Sequence, residues 1–154
     1  MLWFKMRCFI AIDLPKEVKD EIKRIEEEIK SFTVNDKINF VKPENTHITL
    51  KFLGELPDFK ARLLREKLKE IKFSPFSIIL NNLGFFPSEN YIRVIWVGLK
   101  NEERVLELQK EMDLLLKKIG FNKEKKFSSH VTIARVKFIK DKLGTRYSFL
   151  INKK

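Results

Sequence analysis

The sequence predicts an α+β protein of antiparallel strands with helices on the outside, arranged as two pseudo-symmetric lobes. Three observations lead there. Apolar residues recur with a helical period in three segments, and short alternating or apolar runs lie between them. A helix followed by a strand beginning His-x-Thr also occurs twice, with the histidines at 47 and 130. That spacing is too long for a solenoid repeat and suits two related lobes within one domain of 1–154.

The elements follow in order. Cys8-Phe9-Ile10-Ala11-Ile12 reads as a short buried strand closed by Asp13-Leu14-Pro15. Val18, Ile22, Ile25, Ile29 and Phe32 form the stripe of an amphipathic helix, with Pro15 suited to its first turn. A polar connection leads to the alternating segment His47–Leu53, expected to stop at Gly54. Phe59, Leu63, Leu64, Leu68 and Ile71 mark a second helix. Strands are expected over Phe76–Leu80 and Ile92–Val97, joined by a turn-rich stretch containing Gly84, Pro87, Ser88 and Asn90. Val105, Leu108, Met112, Leu115, Leu116 and Ile119 mark a third helix, with Gly120 placed to end it. His130–Val136 is the last strand.

Composition narrows the function. At 44% apolar residues the chain can pack a core, so full disorder is excluded. No apolar run reaches the roughly 20 residues that a membrane helix needs, and the N-terminus lacks a signal-peptide pattern. The single cysteine, Cys8, forms no internal disulfide, which points to a reducing, cytoplasmic setting. Net charge is +11 and unevenly spread. Residues 1–116 hold 20 basic and 19 acidic side chains, whereas residues 117–154 hold 12 basic against only Glu124 and Asp141. A basic tract of this kind attracts a polyanion and makes its binding depend steeply on salt; a solvated surface is the plain alternative.

The two histidines are the only ones in the chain, and each precedes a threonine by two: His47-Ile48-Thr49-Leu50 and His130-Val131-Thr132-Ile133. Side chains alternate along a strand, so each imidazole shares a face with its threonine while the apolar neighbours point to the core. Two imidazoles suit acid/base chemistry near neutral pH, one ring accepting a proton and the other donating one. At a phosphodiester the base would activate water and the acid would protonate the departing oxygen. Threonine hydroxyls would hold the phosphate oxygens. No cofactor is required, and a metal site lacks a third ligand at characteristic spacing. A non-catalytic RNA- or nucleotide-binding module using the basic tract is the competing reading; it has no need of paired imidazoles.

With these motifs the chain resembles the two-histidine phosphoesterases of the LigT-like group, the RNA 2′,3′-cyclic phosphodiesterases also called 2′-5′ RNA ligases. The resemblance is carried by Phe9-Ile10-Ala11-Ile12-Asp13-Leu14-Pro15, by Pro43 to Gly54, by Gly84-Phe85-Phe86-Pro87 with Arg93 to Gly98, and by His130 to Val136. It implies metal-independent opening of an RNA 2′,3′-cyclic phosphate to a 2′-phosphate, with His47 as proton donor and His130 as acceptor. Thr49 and Thr132 would contact the phosphate. The same chemistry run backwards would join RNA ends.

Arg135 matches a basic residue that binds phosphate in relatives. Strict alternation places it opposite His130, so a role there requires a bulge or the end of the strand. Phe85, Phe86 or Tyr91 is a candidate to stack on a base, core packing being the alternative for each. The implied partner is RNA with a cyclic phosphate end, tRNA fragments included, and no membrane. Relatives continue past the equivalent of about residue 144, so the second repeat is expected to be short. Its incomplete sheet edge is expected to favour a homodimer or a looser site.

Overall fold

The computed structural model describes residues 4–140. Strands β1 (Lys5–Asp13), β2 (Lys37–Phe40), β3 (His47–Pro57), β4 (Leu80–Ser88), β5 (Tyr91–Leu99) and β6 (His130–Phe138) are interleaved with helices α1 (Lys16–Phe32), α2 (Asp58–Leu68) and α3 (Glu103–Lys117). The strands are hydrogen-bonded in the order β1-β3-β6-β5-β4, with β2 also on β6, so the predicted α+β class holds. The chain forms two compact units, each drawn from three separate segments. The expected shortening after about residue 144 lies outside the described residues.

One unit contains β1 up to Ile12, β3 from Thr49, α2 and α3. Its core is Leu50, Leu56, Leu64, Val105, Leu108, Met112 and Leu116. Gly120, at φ +91°, closes α3 as the sequence predicts. Gly54, at φ +70°, does not end β3, which runs on to Pro57. Inside this unit Lys51 and Asp113 form a buried ion pair at 2.6 Å.

The other unit contains α1, β2, the first two residues of β3, the β4–β5 hairpin and β6. Ile22, Ile29, Ile95, Val97, Val131, Ile133 and Val136 form its core. Two expectations are corrected here. Residues 71–79 carry no regular structure, and β4 instead occupies the stretch read as turn-rich, leaving only Glu89 and Asn90 to turn. Gly84 sits inside the strand because Trp96 of β5 packs directly over it. The polar connection also conceals β2 and a 3₁₀ turn, Pro43–Asn45, both too short to show a period.

On α1, Glu26 lies between Ile22 and Ile29 on the buried stripe, 1% exposed, and its Oε1 has no hydrogen-bond partner. Burial pushes its carboxyl from 4.5 up to about 7, opposed by Lys30 and reinforced by Glu27 and Glu44. The folded protein therefore holds this proton more firmly than the unfolded chain. Stability is full below the unfolded value and falls as pH rises through the interval up to about 7. The full loss is about 3 kcal/mol. Urea denaturation at pH 5 and pH 8 should show it, and Glu26→Gln should flatten the difference by removing the titration. An unchanged slope in the variant would mean that other groups set it.

Candidate active site

The approach to His47 is built by local turn chemistry. Pro43 starts the 3₁₀ turn, and the Thr46 backbone N–H and hydroxyl both donate to the Pro43 carbonyl, at 3.1 and 2.6 Å. The Asn45 carbonyl, on the same turn, stands 2.8 Å from His47 Nδ1. A carbonyl only accepts, so Nδ1 carries the hydrogen and proton exchange falls to Nε2. Lys19 donates to both Asp13 Oδ1 (2.7 Å) and the Glu44 carbonyl (3.2 Å), tying the end of β1 to the same turn. Its hydrogen bond holds the Asp13 carboxyl below its ordinary range, with smaller contributions from the Leu14 backbone and the charge of His47. Asp13 is thus an anion within electrostatic reach of His47. By sequence alone it is only the end of a strand.

β6 supplies the second histidine. Ile48 of β3 pairs antiparallel with Val131 of β6. This register sets His47 across from Thr132 and makes His130 its diagonal neighbour, about 7–8 Å away between backbones. Strand pairing sets the two histidines on neighbouring strands within one unit.

The bulge that Arg135 requires is present. Trp96 of β5 opposes Thr132 and Ile95 opposes Ala134, so Ile133 is the extra residue. Ile133 and Ala134 are consecutively buried, Arg135 is exposed and Val136 is buried again. Alternation has shifted by one, and Arg135 now shares the side of His130 and Thr132. Thr49 shares the partly exposed side of β3 with His47.

An aromatic group braces His130. Phe86 meets the imidazole edge-on, with centroids 5.2 Å apart and planes at 84°, and Trp96 lies 5.8 Å away. Phe86 and Trp96 are themselves 5.1 Å apart. Of the other two aromatics considered for stacking, Phe85 is buried, and the exposed Tyr91 accepts hydrogen bonds from Arg93 through its hydroxyl.

Gly84 makes the arrangement possible, since a Cβ there would lie 2.0 Å from Trp96 Cζ2. Gly84→Ala should displace the indole and with it the His130 ring. Turnover is expected to fall about tenfold or more, with a smaller change in KM. Steady-state kinetics beside a melting curve test this; loss of stability with normal turnover would show a packing role alone.

Within one unit the site therefore gathers His47, His130, Thr132 and Arg135, side chains able to move protons at a phosphodiester and hold its charge. Among the described residues no cluster of three or more His, Cys, Asp or Glu side chains could hold a metal ion. None of the described helices is long and apolar enough to cross a membrane.

Comparison with known proteins follows the same lines. The family model LigT like Phosphoesterase matches residues 12–96 and 97–151. An RNA 2′,3′-cyclic phosphodiesterase of Methanocaldococcus jannaschii is 45% identical over 142 residues, covering 89% of this chain and 75% of that protein. The crystal structure of TT0787 of Thermus thermophilus matches with a TM-score of 0.75 at 27% identity, over 88% of this chain and 77% of that one. E. coli LigT in its apo form matches with a TM-score of 0.70 at 28% identity, over 89% and 76%.

Proposed function

The chain belongs to the LigT-like phosphoesterase family, as an RNA 2′,3′-cyclic phosphodiesterase, and we propose that His47 and His130 carry its reaction. The observation behind this reading is the Ile48–Val131 pairing, which brings the two imidazoles to neighbouring strands. His130 takes a proton from water as the water oxygen attacks phosphorus. His47, protonated and close to the Asp13 anion, gives its proton to the departing 3′ oxygen. The P–O3′ bond breaks, leaving a 2′-phosphate and a 3′-hydroxyl. Thr49 and Thr132 donate to the non-bridging oxygens, and the Arg135 charge offsets the negative charge gathering on phosphorus.

The substrate class is RNA with a 2′,3′-cyclic end, tRNA fragments included, met in a reducing cytoplasm where Cys8 stays a thiol. A homodimer, if the chain forms one, would pair two copies through an uncovered sheet edge. Incubation with a nucleoside 2′,3′-cyclic phosphate in EDTA tests the reaction. Formation of the 2′-phosphate is expected. Formation of the 3′-phosphate, or no turnover until metal is restored, would overturn the mechanism; binding without turnover would favour a recognition module.

A further inference from the structure

The unit containing α2 and α3 has an exposed aromatic surface that the chemistry above does not use. Phe52 of β3 is 72% exposed and Phe9 of β1 is 49% exposed. Their rings lie 6.3 Å apart at 44°, on strands adjacent in the sheet. Phe52 also lines a concavity of about 590 Å³ whose other walls include Phe121, Lys123, Lys125 and Lys126. The three lysines are exposed.

The loop carrying these lysines is pinned from below. Lys51 Nζ donates to the Asn122 carbonyl and to Asp113 Oδ1, while the Glu124 backbone N–H donates to Asp113 Oδ2 at 2.8 Å. Segment 117–126 holds five lysines against Glu124 alone. Exposed rings beside a fixed basic loop suit one ligand chemistry. Bases stack on aromatic faces with little regard to sequence, and ammonium groups meet the phosphates. A second copy of this chain fits less well, because each copy carries +11 and would bring lysines toward lysines.

We infer that this surface docks the single-stranded body of the RNA whose cyclic end is processed, its bases on Phe9 and Phe52 and its phosphates on Lys123, Lys125 and Lys126. The inference rests on the proposed reaction for its substrate, and Phe52 follows His47 by five residues on one strand. It predicts that affinity grows with RNA length while the chemistry does not change.

The test compares a nucleoside 2′,3′-cyclic phosphate with an octanucleotide bearing the same end. Wild-type KM should be at least about tenfold lower for the octanucleotide. Phe9→Leu/Phe52→Leu keeps apolar bulk but removes the rings; Lys123→Ala/Lys125→Ala/Lys126→Ala removes the charges. Each should raise the octanucleotide KM about tenfold, leaving kcat and the nucleoside KM within about twofold. The lysine variant should also show a shallower salt dependence.

Equal KM values for the two wild-type substrates would overturn the inference, as would variants that impair both substrates alike. So would a dimer that dissociates in the phenylalanine variant while octanucleotide KM stays fixed. If wild type turned over neither substrate, the proposed reaction would fail, and anisotropy with a labelled octanucleotide ending in a 3′-hydroxyl would still decide the docking surface. Weaker binding by both variants would support it, and unchanged binding would end it.

Discussion

Alanine at His47 or at His130 is expected to lower turnover by roughly two to four orders of magnitude, with thermal unfolding almost unmoved. Each histidine stands at the first position of its strand and is only partly buried, so removing the ring leaves the core residues behind it in place. The losses should not add in the double variant, because acid and base act in one step. Their pH signatures should differ as well. Activity needs one ring protonated and the other neutral, so the wild-type profile is bell-shaped, and each alanine variant should lose one limb of the bell. Stopped-flow or quenched turnover of a nucleoside 2′,3′-cyclic phosphate, from about pH 5 to 9, measures all of this. Near-wild-type turnover in either variant would remove that histidine from the mechanism. A flat wild-type profile with chemistry rate-limiting would remove both.

The parts of this protein that are legible in its sequence are those in which one residue's environment repeats along one element. α1 and α3 are visible because their apolar stripes run for about four turns, and the His-x-Thr pairs because a strand keeps i and i+2 on one face. What stays hidden depends on contacts between distant segments. Gly84 reads as a turn residue until Trp96 is seen lying over it. Phe32 completes the helical stripe yet is 42% exposed, while Glu26, which that apolar stripe leaves out, occupies the buried centre. Asp13 becomes a neighbour of His47 only through Lys19 and the Pro43 turn. Alternation shows that Arg135 needs a bulge, but nothing in Val131–Val136 says where the extra residue falls. That is set by the pairing with β5.

Lys51 is the sharpest case of this kind, and Lys51→Met is expected to cost about 3–5 kcal/mol of folding stability. Alternation from His47 would leave its ammonium beside Thr49. Instead Leu50 and Lys51 are both buried, and the lysine reaches Asp113 of α3 with 5% of its side chain exposed against 2% for the aspartate. The pair is well made. Lys51 also donates to the Asn122 carbonyl and stands 3.8 Å from Glu124, and Asp113 accepts the Glu124 backbone N–H.

Burying two charges removes them from water, and their mutual attraction only roughly offsets that loss, so the pair itself adds little net stability. Removing one partner has a different consequence. Methionine fills the lysine stem's volume but leaves the Asp113 carboxylate buried beside a single N–H donor, and the Asn122 carbonyl loses its ammonium. Asp113→Leu should cost a similar amount by stranding the ammonium. The double variant Lys51→Met/Asp113→Leu should recover much of either loss, since no uncompensated charge remains. Urea denaturation of the four proteins gives the coupling directly. Amide hydrogen exchange at Glu124 should quicken in Asp113→Leu, which removes its acceptor. A single-variant loss below about 1 kcal/mol, or a double variant as unstable as the sum of the singles, would show that the two charges are solvated independently and that the loop is held by something else.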